Sequence, residues 1–265
     1  MHSHYDSNYD NFRNQVYEEV RREAFGEDIG QNSWLTASEQ DAFLSWLSLS
    51  PGKVLLDVGC GAGGPALRIA ARTGCSVVGI DAHEQAVATG KQIAADRGLA
   101  STVEFRALDA SKPLPFPDSS FDAVTCIDAI NHFQDRADVL TEWSRVLKPK
   151  GRVLFTSPIV MTGPLTNAEI AIRTSAGFYL LVPQGYDEQV VSHSGLRLVT
   201  SQNVTQKMAV VAERRRAARE RRQDALREIE GDQAYLAQQE YLSVAARIAK
   251  EGRLSRFLFV AERVH

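Results

Sequence analysis

The sequence is poor in the residues that staple small folds or hold metals. Its 265 residues include three cysteines (Cys60, Cys75 and Cys126) and six histidines. The cysteines lie in or beside apolar runs, with no C-x-x-C pair and no histidine at ligand spacing. That pattern argues against a disulfide framework and a zinc site, and for reduced, buried thiols in a cytoplasmic protein with no metal. No apolar run approaches the ~18 residues of a membrane-spanning helix, so no membrane partner is expected. Met1-His-Ser-His-Tyr-Asp6 has no charged-then-apolar signal pattern. The net charge of -3 supplies no global field for nucleic acid, and none is expected as a partner. The one charge run, Glu213-Arg-Arg-Arg-Ala-Ala-Arg-Glu-Arg-Arg222, is broken by acids. Glu213, Glu220 and Asp224 favour a solvated helix face with i,i+4 pairs over a phosphate-binding strip.

What the chain does have is apolar residues, 44% of the total, enough for one packed domain with an elaboration. Tyr9, Phe12, Val16, Val20 and Ala24 recur at helical spacing, which predicts an amphipathic N-terminal helix. A second helix follows a predicted capping box at Thr36-Ala-Ser-Glu39 and carries Phe43, Leu44, Trp46 and Leu47. From Lys53 the pattern changes to short apolar runs alternating with helices. Strands are predicted at 54–58, 77–80, 103–107, 121–127 and 152–156. Such alternation implies right-handed crossovers and a parallel sheet covered on both faces. Two later strands, 196–199 and 254–260, flank helical stretches at 204–230 and 232–250 broken by Gly231. They suggest an antiparallel edge carrying an inserted lid. Gly163-Pro164 and Gly185 are candidate hinges or plain turns.

The stretch Val54-Leu-Leu-Asp-Val-Gly-Cys-Gly-Ala-Gly-Gly64 ends the first strand in an acid and a run of glycines. It satisfies G-x-G-x-x-G, the dinucleotide fingerprint, but taken alone that signal is weak. Asp57 stands two residues before the first glycine, where it would repel a pyrophosphate and suit an ammonium. Asp81 ends strand two, where a carboxylate can hold ribose hydroxyls. Asp109 ends strand three, where it can accept from an adenine amino group. An ammonium, a ribose and an adenine without phosphate describe S-adenosylmethionine. The plain alternatives are glycines that only permit close packing, Asp81 as a helix cap and Asp109 as a turn former.

Val54–Gly64, Gly79-Ile-Asp81, Ala107-Leu-Asp-Ala110, Phe116-Pro-Asp-Ser-Ser-Phe-Asp-Ala-Val124 and Leu147-Lys-Pro-Lys-Gly-Arg-Val-Leu-Phe155 together resemble the class I S-adenosylmethionine-dependent methyltransferases, in order and spacing. The match covers residues 30–157. It is most similar to small-molecule enzymes, such as the ubiquinone-pathway C-methyltransferases and the N-methyltransferases of glycine derivatives or phosphoethanolamine. The resemblance implies a Rossmann-like α/β fold with a seven-stranded, mostly parallel sheet, helices on both faces and an antiparallel edge strand. On that basis residues 1–50 form a helical cap, 51–157 the cofactor-binding core, and 158–265 the rest of the sheet with a lid at 204–250.

The resemblance also implies an S-adenosylmethionine-dependent enzyme that leaves S-adenosylhomocysteine as product. Gly59, Cys60 and Gly61 would approach the methionine moiety with Asp57. Asp81 and Ala82 would hold the ribose, Asp109 and Ala110 would read adenine, and Cys126 and Ile127 would lie near the sulfonium. Gln31 and Trp34 would cover the cofactor. Asp128 and His132, in Asp128-Ala-Ile-Asn-His132, are the candidate catalytic residues, with loop fixation as their alternative. Tyr17, Asn131, Met161, Phe178 and Tyr235 are candidates for binding a small-molecule acceptor; core packing is the alternative for Met161, Phe178 and Tyr235, and solvent exposure for Tyr17, which faces away from the apolar stripe. The rival readings are a methyltransferase acting on protein or nucleic acid, a non-catalytic binding module and a nicotinamide dehydrogenase. A homodimer stays open.

Overall fold

A computed structural model describes residues 9–175 and 177–264. The N-terminal hexapeptide considered above lies outside them.

The parallel half of the sheet forms where the apolar runs predict it. Strands β1 (Val54–Val58), β2 (Ser76–Asp81), β3 (Val103–Ala107) and β4 (Phe121–Ile127) alternate with helices α3 (Gly64–Thr73), α4 (Glu84–Asp96) and, after β4, α5 (Arg136–Val146). A single 3-10 turn, Ile130–His132, follows β4. Strand β5 runs from Leu147 to Met161, much longer than its predicted core. The two-residue β6 (Val182–Pro183) pairs with its end. The main order is β3-β2-β1-β4-β5-β8-β7, with β7 (Leu196–Asn203) and β8 (Leu254–Arg263) closing one side. Strand β8 runs antiparallel to both β5 and β7. The antiparallel pair is therefore at the edge, with the reversed strand as its inner member; the main order holds the seven strands expected, and the two-residue β6 is an eighth off that path.

Alternation along β1 shows how the sheet is covered. Leu56 and Val58 pack into one core with Leu140, Trp143 and Val191, beneath α5 and α7 (Tyr186–His193). Leu55 points the other way, into a core with Phe43, Leu67 and Val87. Residues two apart share a face, so one apolar run feeds both layers. Phe43 belongs to α2 (Ala37–Leu44).

The N-terminal helix α1 (Gln15–Phe25) starts later than its predicted stripe, because Asn14 caps it by accepting from Val16 N. Tyr9 and Phe12 precede it and pack with Ala62 and Ala86. The predicted lid is three helices, α8 (Thr205–Glu220), α9 (Gln223–Glu230) and α10 (Asp232–Lys250), following the short α6 (Asn167–Arg173) in the chain. Ala24, Phe25 and Trp34 pack against Met208, Val211 and Leu242. The N-terminal segment and the late helices thus form one apolar cap. Among the described residues no helix is long and apolar enough to cross a membrane.

The charge run differs from its prediction. Arg216 and Glu220 make the expected exposed i,i+4 pair at 3.2 Å. Arg222 instead binds Glu19 at 3.0 Å and Glu23 at 2.6 Å on α1, and Arg221 also pairs with Glu23. Arg219 is buried against Glu230. The run is mostly a clamp between cap helices, because α8 lies between α1 and α10 where the sequence suggested one solvated face.

Candidate active site

Because β1 through β4 are parallel, their carboxyl ends open together, and the order reverses between β1 and β4. Ligands of such sheets bind at this crevice. A cavity of about 480 Å³ lies there. Of the sequence-predicted residues, the structure brings Asp57, Gly59, Cys60, Gly61, Asp81, Ala82, Asp109, Ala110, Ile127, Asp128 and His132 to its wall.

The turn after β1 uses its glycines in two ways. Gly59 has φ +69°, and a Cβ there would fall 2.5 Å from Ala129 Cβ. A Cβ on Gly64 would collide with the carbonyl oxygens of Ile29 and Gly30. Gly59 thus shapes the cavity wall, whereas Gly64 serves packing alone, the plain alternative weighed above.

The three carboxylates sit in different environments. Asp57 is buried and accepts from Thr125 Oγ1 at 2.7 Å. Burial, opposed by that bond and reinforced by the charge of Asp81, pushes its carboxyl up to about 7. No cation pairs with it among the described residues. Asp81 Oδ2 accepts from Gly61 N at 2.8 Å and Oδ1 from His83 N at 2.9 Å. Each oxygen keeps a second lone pair. Asp81 is not the cap of α4, since His83 fills that role by accepting from Ala86 N. Asp109 Oδ1 accepts from Ser111 N at 2.9 Å and Oγ at 2.6 Å, and these bonds hold its carboxyl below the usual range.

Asp128 is committed elsewhere. Its Oδ1 accepts from Arg256 Nε at 2.7 Å and Thr156 Oγ1 at 2.7 Å, and Oδ2 accepts from Trp34 N at 2.9 Å. Arg256 also donates to Glu39 at 2.8 Å, with both side chains fully buried. The predicted capping box is therefore half made: Thr36 accepts from Glu39 N, but the Glu39 carboxylate turns inward to Arg256.

His132 is half-buried on the wall, 4.8 Å from the Tyr179 ring. Its Nδ1 lies 3.0 Å from Phe178 O. A carbonyl only accepts, so Nδ1 carries the hydrogen and the neutral ring presents Nε2 as acceptor. Burial lowers its pKa from the ordinary value.

Several predicted residues lie away from the cavity. Gln31 is buried, accepting from Ile29 N and donating to Glu27 O. Trp34 stacks on Tyr241 inside the cap. Cys126 is fully buried in the sheet core, because it faces the layer opposite its neighbour Ile127. Tyr17 donates to Glu230 at 2.6 Å, and Tyr235 is buried beside it. Asn131 is buried, with no partner for Oδ1. Met161 packs beside Ile159 and Ile248, and Phe178 is 49% exposed. None of these reaches the main cavity, whose wall instead takes Tyr9, Asn32, Ser33, His83, Ser111 and Phe133. Asn32 and Ser33 lie in the very loop the sequence pointed to, displaced by one position from Gln31 and Trp34. Nothing in the sequence separates Tyr9 from an ordinary helix-stripe residue.

Comparison with known proteins points to methyltransferases. Residues 56–155 match a family model described as a methyltransferase domain. Over 203 residues the chain is 28% identical to 27-O-demethylrifamycin SV methyltransferase of Amycolatopsis mediterranei (strain S699), covering 72% of this chain and 74% of that one. The chain carries a methyltransferase domain and is similar to the class I S-adenosylmethionine-dependent methyltransferases. It spans less than half the length of several other curated methyltransferases that it matches, from 26% to 45%. Among solved structures, phosphoethanolamine N-methyltransferase 2 of Haemonchus contortus, in complex with S-adenosylmethionine, superposes with TM-score 0.81 at 22% identity, over 97% of this chain and 60% of that one. The [4+2]-cyclase SpnF superposes with TM-score 0.76 at 22% identity, over 96% and 93%. At these identities the superpositions bear on the methyltransferase fold alone.

Proposed function

We propose that this methyltransferase moves the methyl group of S-adenosylmethionine to a small-molecule acceptor. The observation that carries the reading is the convergence of Asp57, Asp81 and Asp109, from three successive strand ends, on one cavity of about 480 Å³. The buried Asp57, with no cation beside it, fits an ammonium. The remaining lone pairs of Asp81 fit a diol, and Asp109 Oδ2, which takes no bond from the described residues, fits an amino donor. When bound, S-adenosylmethionine supplies an electrophilic methyl on a sulfonium leaving group. The chain then needs to align the acceptor, exclude water and take up a proton where the acceptor loses one.

His132 is the residue we assign to that proton, through Nε2, since the hydrogen on Nδ1 is held by Phe178 O. Asp128 is withdrawn from the role. Its carboxylate is saturated by Arg256, Thr156 and the Trp34 amide, and it holds the turn that presents His132. The acceptor atom, oxygen, nitrogen or carbon, is left to experiment. The relative that methylates a rifamycin and the one named for phosphoethanolamine show that one fold serves different acceptors.

Calorimetric titration with S-adenosylmethionine, S-adenosylhomocysteine and NAD, followed by labelled-methyl turnover on a nuclease- and protease-treated extract, tests the reading. Binding of the first two and labelled small molecules are expected. Binding of NAD alone, or cofactor binding with no label transferred, would overturn it.

A further inference from the structure

Beside the main cavity, toward the cap, is a second recess. Arg21, Arg215 and Arg219 line it with Phe12, Tyr17 and Asn32. Asn32 lines the main cavity as well, so the two spaces share a wall. The recess encloses about 20 Å³, room for a water-sized group.

Its arginines are not equivalent. Arg21 binds Asp28 at 3.0 Å. Arg219 grips both oxygens of Glu230, at 3.0 and 2.6 Å, and its Nε is buried without a partner. Arg215 has no ion pair or hydrogen bond among the described residues. Two arginines are neutralised by two acids, and one positive charge is left over. Arg215 stands four residues before Arg219, so both project from one side of α8, Arg219 buried and Arg215 partly buried at the recess. Desolvation, with repulsion from Arg219, lowers the Arg215 pKa to about 10. A further unpaired guanidinium lies close by. Arg173 is 1% exposed, 4.6 Å from the Tyr241 ring, with Nε and Nη1 lacking partners. Tyr241 is also among the groups that act on Arg215.

Withdrawing a cation even partly from water without a counter-ion is costly, and an apolar side chain would pack the same position at no such cost. The arrangement makes sense when the missing charge arrives with a ligand. We propose that Arg215 binds an anionic oxygen group of the methyl acceptor, a carboxylate or a phosphate, in this recess, so that the acceptor reaches past Asn32 to be methylated in the main cavity. A guanidinium presents a planar fork of donors that matches either group. The small enclosed volume implies that α8 and α9 shift to admit it. This inference rests on the reading of the main cavity as the S-adenosylmethionine site.

The test uses the full chain saturated with S-adenosylhomocysteine and titrated with sodium phosphate and, separately, sodium acetate. Saturable binding of at least one is expected, phosphate the stronger for a phosphate-bearing acceptor and acetate for a carboxylate. Arg215→Gln should weaken that binding at least about tenfold while S-adenosylhomocysteine affinity is unchanged. Should Arg215→Gln fail to fold, Arg215→Met carries the comparison. It removes the unpaired charge, so the ligand-free variant should melt above wild type and gain nothing from the anion. Equal anion binding by wild type and variant, no saturable binding by wild type, or a melting temperature for Arg215→Met below that of wild type would each overturn the proposal. If S-adenosylhomocysteine itself does not bind, the cofactor reading fails, and the same titrations on the ligand-free chain still report on Arg215.

Discussion

Arg256 and Asp128 meet at 2.7 Å although 128 residues separate them, and the contact ties the turn after β4 to the strand inserted last into the sheet. Arg256 reaches Glu39 of α2 with another nitrogen, so one guanidinium joins α2, the turn after β4 and β8. Removing one member of such a buried triad strands the charge of the others.

Arg256→Ala should therefore destabilise the protein by about 3–5 kcal/mol, leaving two buried carboxylates unpaired. Urea unfolding followed by circular dichroism measures it. A loss below about 1 kcal/mol, the range of exposed pairs, would show that the triad is solvated in the working protein.

Asp81→Ala should lower S-adenosylmethionine affinity at least about tenfold, since the carboxylate is the proposed partner of two ribose hydroxyls. It also frees the amides of Gly61 and His83, which can turn to water at the cavity wall, so the melting temperature should change little. Calorimetry on the variant decides it, and unchanged affinity would remove the ribose assignment.

Asp57 gives a pH-linked signature. Its folded carboxyl is raised to about 7, so between about 4 and 7 the folded chain holds a proton that the unfolded chain has lost. Stability contributed here is present at low pH and declines as pH rises through 7. An ammonium bound beside Asp57 favours its ionised form, so cofactor binding near pH 6.5 should release a proton. Titration in two buffers of different ionisation enthalpy detects that release, and Asp57→Asn should abolish it.

Burial depresses His132 below its ordinary pKa, which favours the neutral ring and shifts its charging to more acid pH than a free imidazole. For an acceptor that loses a proton, kcat/KM should be level near neutrality and drop on the acid side. His132→Asn should cut kcat by about 10²–10⁴ and remove that acid limb, with cofactor affinity kept. An unaltered pH profile in the variant would leave His132 a positioning residue.

What the sequence determined by itself is the local and periodic part of the molecule. Apolar runs of strand length set β1 through β4, and acids placed just after those runs were bound to share one rim, because parallel strands end together. That is why Asp57, Asp81 and Asp109 were legible before any coordinates. Tertiary structure alone decided which side chains from distant segments meet. Gln31 and Trp34 gave way to Asn32 and Ser33 because a loop has no periodicity to fix which residues face inward. Cys126 turned into the sheet core because alternation sends neighbouring strand residues to opposite layers. Asp128 became a structural ion because Arg256 arrives from the far end of the chain, and Arg215 became a partly buried cation, unpaired among the described residues, because α8 is packed on both sides. Pairings across such separations leave no spacing to read, since they depend on how layers dock and on which charges find partners once water is gone.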